Sequence, residues 1–538
     1  MAAVPCIRKI ALNHQPMKQL FAMMMMLTVP TLRSHGQSSA GTVKTATVTL
    51  SEGILEGTDS GGISSFKGIP YAQPPVGNLR WKAPQPVIPW KGVRKADTFG
   101  PRAMQPYVFH DMIFRSKMSE DCLYLNVWAP DNAKGRYLPV LVYFYGGGFV
   151  AGDGSEPRYD GESMARKGMI VLTVNYRLGV FGFLALPALT GESPHHASGN
   201  YGLEDQHAAL QWVHDHIAAF GGDPDKVTIG GESAGSMSVC AQMASPLSKG
   251  LFRGAIGESG AVLGNLSPAP LARSEAQGTR FMQLTGARDL KELRAIPADS
   301  LLAMTERKGS PHFSTTIDGY FLPQSPEAIF SAGKQMDVPL LAGTNSAEID
   351  YHGILGASEP TAENYQAAVE KLYGDQAPDV LKVFPGDTRE QVIQSATALA
   401  SDRFIAYATW KWMHLQAATG SRPVYRYVFS QILPPLKGAP AGTKAVGAPH
   451  AAEIPYALGN LSLIHTYDWT AEDRETSLHM QDYFAQFIKT GDPNGNGLPS
   501  WPAMKNTNPQ IMILDSRPHA QKATDTPQYE LMDNLNRK

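Results

Sequence analysis

Lys226-Val227-Thr228-Ile229-Gly230-Gly231-Glu232-Ser233-Ala234-Gly235 constrains this chain more than any other stretch. A β-branched run enters Gly-x-Ser-x-Gly, and apolar residues at Met237, Val239, Cys240 and Met243 follow with helical spacing. The pattern predicts a strand, a tight turn and a helix, with Ser233 lifted to the tip of the turn. Glycine at 231 and 235 leaves room for backbone that a side chain would obstruct. A serine at that tip has an exposed hydroxyl, and the free N–H groups of the following helix favour negative charge beside it. Gly-Glu-Ser occurs four times, at 161, 191, 231 and 257, but only the copy at 231 has both a strand before it and Ala-Gly after it.

The rest of the chain predicts the setting of that turn. Apolar runs at 138–145 and 169–176 suit strands buried on both faces of a sheet. Further strands are expected at 43–50, 122–128, 255–261, 338–345 and 424–429, and helices over 202–219, up to about 308, over 361–418 and over 478–489. Strands alternating with helices predict an α/β fold built on a large, mostly parallel central sheet with helices on both faces. No linker, repeat or low-complexity segment divides it, so residues 37–538 read as one domain, with inserted helices forming a cover. The 47 Lys and Arg against 49 Asp and Glu leave a net charge of −2, and no basic stripe argues for nucleic acid.

The N-terminus predicts a signal peptide over residues 1–36. Arg8, Lys9 and Lys18 precede an apolar run over 20–29, and Ser34-His35-Gly36 offers a cleavage site; Met17 is an alternative start. The run is too short to cross a bilayer as a mature helix, and no cysteine follows it to carry a lipid. A secreted or periplasmic protein without a stable membrane anchor is expected. Of three cysteines, Cys6 would leave with the leader, and Cys240 sits on the apolar face of the helix after the turn.

A serine nucleophile needs a base, an acid to orient that base, and donors for an oxyanion. Gly146-Gly147-Gly148, at the end of the 138–145 strand, can bring backbone N–H groups against a substrate oxygen without side chains in the way. Fifteen histidines compete for the role of base. His195-His196 lies in a polar loop and His207, His214 and His216 share one predicted helix, whereas His450 ends the loop Gly447-Ala448-Pro449-His450, with Glu453 just beyond.

Six motifs together carry a resemblance that runs from about residue 43 to the C-terminus. They are Phe66-Lys67-Gly68-Ile69-Pro70-Tyr71-Ala72, Ser119-Glu120-Asp121-Cys122-Leu123-Tyr124-Leu125-Asn126, Gly146-Gly147-Gly148-Phe149, Asn175-Tyr176-Arg177-Leu178-Gly179, Gly231-Glu232-Ser233-Ala234-Gly235, and Gly447-Ala448-Pro449-His450 with Glu453. The chain resembles the type-B carboxylesterases, the carboxylesterase/cholinesterase branch of the α/β-hydrolases. The resemblance implies hydrolysis of a small-molecule carboxylic ester without cofactor or metal. It implies Ser233 as nucleophile, His450 as base and Glu348 as orienting acid, with an oxyanion hole from the N–H groups of Gly147, Gly148 and Ala234. It also places Glu232 and Ser259 behind the triad, and reads Arg80 with Glu120 and Arg177 with Asp205 as scaffold ion pairs. Where the family has Asp-Glu-Gly, this chain has Ala347-Glu348-Ile349, which leaves Asp350 as a competitor for the acid. No cysteine stands at 100–105 to pair with Cys122, so a free thiol is expected. No tryptophan lies between Phe109 and Met118, so cation–π recognition of choline is not expected there. An esterase specialised for a large natural ester, a mycotoxin polycarboxylate or plant phenolic ester, is the nearest alternative; a non-catalytic binding module is a more distant one.

Overall fold

The computed structural model describes residues 44–440, 445–495 and 497–536. The expected leader over 1–36 lies outside the described residues. One 13-stranded sheet organises the fold. Its main path uses β1 (Lys44–Leu50), β2 (Gly53–Ser60), β3 (Ile63–Pro70), β4 (Tyr124–Pro130), β5 (Leu138–Phe144), β6 (Ile170–Val174), β7 (Gly222–Glu232), β8 (Gly254–Glu258), β9 (Leu340–Asn345), β10 (Val424–Phe429), β11 (Gln510–Leu514) and β12 (His519–Lys522). The spatial order is β1-β2-β3-β4-β6-β5-β7-β8-β9-β10-β11-β12, and Val93–Lys95 pairs with β2 off this path.

From β6 through β11 every pairing is parallel. Antiparallel strands flank this block on both sides. The central strands are apolar because helices cover both faces; Val140, Val142, Phe144, Ile170, Leu172 and Val174 are all buried. Principal helices are α1 (Tyr201–His216), α2 (Ala234–Ala244), α3 (Leu271–Thr285), α4 (Ala362–Tyr373), α5 (Ala377–Val383), α6 (Arg389–Ser401), α7 (Tyr407–Thr419), α8 (Ala471–Thr490) and α9 (Thr526–Asn536). A five-residue π-helical turn, Asp402–Ala406, joins α6 to α7.

The helices inserted between β9 and β10 enclose a second apolar cluster, in which Tyr365, Val369, Val380, Val392 and Leu399 meet Tyr529 and Met532 of α9. The C-terminal pair β11–β12 and helix α9 are not among the elements expected from the sequence. β12 is exposed along its whole length, so it carries no apolar alternation to betray it.

The expected scaffold ion pairs are present. Arg177 lies 2.7 Å from both carboxylate oxygens of Asp205, with the pair fully buried. Arg80 reaches both oxygens of Glu120 at 2.6 Å and also donates to the carbonyls of Arg294 and Ile296. Cys122 and Cys240 are buried free thiols, and burial raises the pKa of both.

Candidate active site

β7 delivers the Gly-x-Ser-x-Gly turn to the carboxyl end of the parallel block. Ser233 stands at the N-terminus of α2 with φ 54° and ψ −120°, a region that non-glycine residues enter only when the surroundings hold them. The holding is visible. The Ser233 N–H donates to the Glu258 carbonyl on β8 at 2.8 Å, and the Ser233 carbonyl accepts from the Met237 N–H at 2.8 Å. A Cβ on Gly231 would stand 2.6 Å from the Phe144 carbonyl oxygen and 2.5 Å from the Gly235 carbonyl carbon; one on Gly235 would stand 2.0 Å from the same Phe144 oxygen. Both glycines therefore let the turn lie directly against β5.

The structure brings Ser233, His450 and Glu348 together. Ser233 Oγ is 2.9 Å from His450 Nε2, and His450 Nδ1 is 2.7 Å from Glu348 Oε2. The other oxygen of Glu348 accepts from the Ser259 hydroxyl at 2.6 Å and from the Asn345 N–H at 2.7 Å. These bonds leave the carboxylate one way to face. Asp350 is not part of the set: it is exposed and bonded to His352. His195, His207, His214 and His216 likewise have other partners, in ring stacking or in bonds to Ser248, Asp215 and Glu52.

Ser259 repeats the geometry of Ser233 one strand along. It follows β8 with φ 53°, and its N–H donates to the Gly343 carbonyl on β9 at 2.9 Å. The Gly-Glu-Ser copy at 257 thus also ends a strand, but its hydroxyl is turned to the acid.

Behind the imidazole lies a group of buried carboxyls. Glu232 Oε1 is 3.2 Å from His450 Nε2. Glu453 accepts from the Asn345 side-chain amide and lies 3.4 Å from the Ser259 hydroxyl. Glu258 accepts from the Tyr143 hydroxyl at 2.8 Å and is paired in register with Glu232. Burial raises the pKa of all three, and repulsion from neighbouring carboxyls adds to it: Glu453 and Glu348 for Glu232, Glu453 and Glu232 for Glu258, and Glu348 for Glu453. Burial pulls the His450 pKa down, but Glu232 and Glu348 more than reverse this and hold it above its ordinary value. Glu258, Tyr143 and Asn345 carry no signal in the sequence, since only the cross-strand register puts them behind the imidazole.

Gly146-Gly147-Gly148 leaves β5 beside Ser233: a Cβ on Gly146 would stand 3.0 Å from the Ser233 Cβ. Gly147 has φ 109° and Gly148 φ 63°. The Gly147 carbonyl is turned away and accepts from the Val150 and Ala151 N–H groups. Ala234 is the first residue of α2. Phe404, on the π-helical turn, meets the His450 ring edge-to-face at 4.9 Å and is partly exposed. Among the described residues no cluster of side chains fit to hold a metal ion occurs, and no helix is long and apolar enough to cross a membrane.

A profile of the Carboxylesterase family matches residues 44–532. Para-nitrobenzyl esterase of Bacillus subtilis is 37% identical over 488 residues, covering 87% of this chain and 94% of its own length. Fumonisin B1 esterase of Sphingopyxis macrogoltabida is 34% identical over 484 residues, covering 86% of this chain and 85% of its own. Among solved structures, the Geobacillus stearothermophilus carboxylesterase EST55 superposes with a TM-score of 0.77 at 31% identity, over 90% of this chain and 99% of that one. With its serine turn, its sheet and these relatives, the chain belongs to the carboxylesterase family, with the α/β-hydrolase fold, and is an enzyme that hydrolyses carboxylic esters.

Proposed function

We propose that hydrolysis runs through an acyl-enzyme on Ser233. His450 takes the serine proton through Nε2 as Oγ attacks the ester carbonyl. Glu348 holds the ring so that Nδ1 carries the other proton, and it stabilises the imidazolium that forms. The N–H groups of Gly147, Gly148 and Ala234 receive the charge that develops on the carbonyl oxygen. His450 then protonates the departing alcohol and activates the water that releases the acid. Ser259 and Glu232 act through the triad, the first by orienting Glu348 and the second by its charge beside Nε2.

The observation that carries this reading is the continuous run from Ser233 Oγ to Nε2 at 2.9 Å and from Nδ1 to Glu348 at 2.7 Å. Ser233→Ala should lower kcat on a p-nitrophenyl ester by about 10⁶-fold. Hydrolysis by that variant at the wild-type rate would overturn the assignment.

The substrate class proposed is a small-molecule carboxylic ester, with a large natural ester, a mycotoxin polycarboxylate or plant phenolic ester, as the alternative. The related fumonisin esterase keeps that alternative in the test: kcat/KM compared across neutral, cationic and polyanionic esters of similar size decides it. For the cell, the basic and apolar pattern of 1–36 supports export as a secreted or periplasmic enzyme. N-terminal sequencing of the protein recovered from the producing cells tests that.

A further inference from the structure

One stripe of α1 faces outward into a cleft that shares no residue with the catalytic group. Glu204, His207, Ala208, Gln211, Trp212 and Asp215 recur at helical spacing and form one wall. The loop at 83–87 forms another. The ring of His195 stacks flat on Tyr320, at 3.8 Å and 5°, and Glu52 closes a further side through its pair with His216. The open cleft has a volume of about 420 Å³.

Three features give the cleft a chemical preference. Among the described residues it is lined by the carboxyls of Glu52, Glu204 and Asp215 and by no lysine or arginine. Aromatic surface comes from Trp212, Tyr71, Tyr320 and the stacked His195. Glu204 Oε2, finally, is closed off from solvent and has no hydrogen-bond partner among the described residues. The nearest cation behind it, Arg177, already spends its guanidinium on Asp205. A buried carboxyl without a partner is stabilised in its ionised form by a positive charge held close by in the cleft. Among the described residues no cluster fit for a metal ion includes it.

We propose that this cleft binds a small organic cation, a protonated or quaternary amine carried on an aryl or alkyl body. The charge sits in the cleft beside Glu204, and the body lies against the aromatic walls. Binding is linked to the proton on Glu204. Burial pushes that carboxyl up to about 8; Arg177 opposes the shift, and Asp318 and Asp205 add to it. Tyr320 and His195 face it from the loops, and His207 from its own helix; burial keeps His207 toward its neutral form, so it adds little competing charge. The bound cation therefore displaces the Glu204 proton near neutrality.

The test is calorimetric titration of the full enzyme with benzyltrimethylammonium at pH 7 and pH 9. Neopentylbenzene, of the same shape but uncharged, serves as control. Because the ionised fraction of a group titrating at about 8 rises about tenfold over that range, affinity should tighten about tenfold. Glu204→Gln should weaken binding at pH 9 at least tenfold, while kcat/KM on p-nitrophenyl acetate is unchanged. His195→Ala, which removes one face of the stack, should weaken binding severalfold and serves if Glu204→Gln does not fold. Equal binding of the neutral analogue, unchanged affinity in the two variants, or no saturable binding at pH 9 would each overturn the proposal.

Discussion

Glu232 Oε1 lies 3.2 Å from His450 Nε2, the same nitrogen that faces the Ser233 hydroxyl at 2.9 Å. A carboxyl there favours the imidazolium, and a base must be neutral to accept a proton, so the rate should rise with pH through the His450 titration. Glu232→Gln removes the largest influence that raises the His450 pKa. The acidic limb of the kcat/KM profile should move to lower pH in that variant. A profile that superposes on the wild type would remove Glu232 from this role.

The two acids near the triad can be separated. Glu348 touches His450 and has both oxygens occupied, whereas Asp350 is exposed beside His352. Glu348→Gln should lower kcat by about 10⁴-fold, the size of effect that a misoriented base produces in comparable triads. Asp350→Asn should leave kcat within about twofold of wild type, since it ends only an exposed contact. Steady-state kinetics of the pair checks this, and equal losses would contradict it.

Neighbouring glycines should respond differently. A Cβ on Gly147 would stand 2.1 Å from the Ala151 carbonyl oxygen, while one on Gly148 meets nothing nearer than Val150 Cγ2 at 3.8 Å. Gly147→Ala must shift the loop that presents the N–H groups and should lower kcat by about 10²–10³-fold. Gly148→Ala meets only the strain of its positive φ, about 1 kcal/mol, and should lose far less activity. Parallel kcat and thermal-unfolding measurements distinguish a displaced loop from an unfolded chain.

The acid on β8 makes a claim about stability. Burial, and then Glu453 and Glu232, raise the Glu258 pKa above that of an unfolded glutamate, against the Tyr143 hydrogen bond that lowers it. The folded protein thus keeps a proton that the unfolded chain releases. Its contribution is full below the ordinary glutamate range and is lost as pH climbs toward the raised folded value. Glu258→Gln retains an acceptor for the Tyr143 hydroxyl and cannot ionise. Urea midpoints measured from about pH 5 to pH 8 should fall less steeply for this variant than for wild type; parallel curves would show that Glu258 is ionised throughout.

How much of this the sequence shows depends on how local each feature is. The Ser233 turn is legible because its strand, its two obligatory glycines and its helix lie within about twenty consecutive residues. The buried strands at 138–145 and 169–176 are legible from unbroken apolar runs, and Arg177 with Asp205 from the family resemblance. Glu258 and Tyr143 are not, because their meeting is a product of strand order, the two standing 115 positions apart in the chain. Phe404 is equally silent: an exposed aromatic on a helix carries no mark that its turn is π-helical or that His450 lies beneath it. Glu204 reads as an ordinary polar position on α1 until the wall opposite it is known.

Ser233, Ser259 and Glu348 follow three consecutive strands of the ladder, β7, β8 and β9, and His450 stands in the connection that leaves β10. Neighbouring strands lie about 4.8 Å apart, so the backbones that carry the serine and the acid are separated by about 10 Å, two rungs of the ladder. One imidazole, bonded at both nitrogens, fills what the side chains leave of that gap. The sheet therefore works as a ruler for the reaction. Segments inserted beyond a strand end, as between β9 and β10, can lengthen or change shape without altering the interval between the rungs.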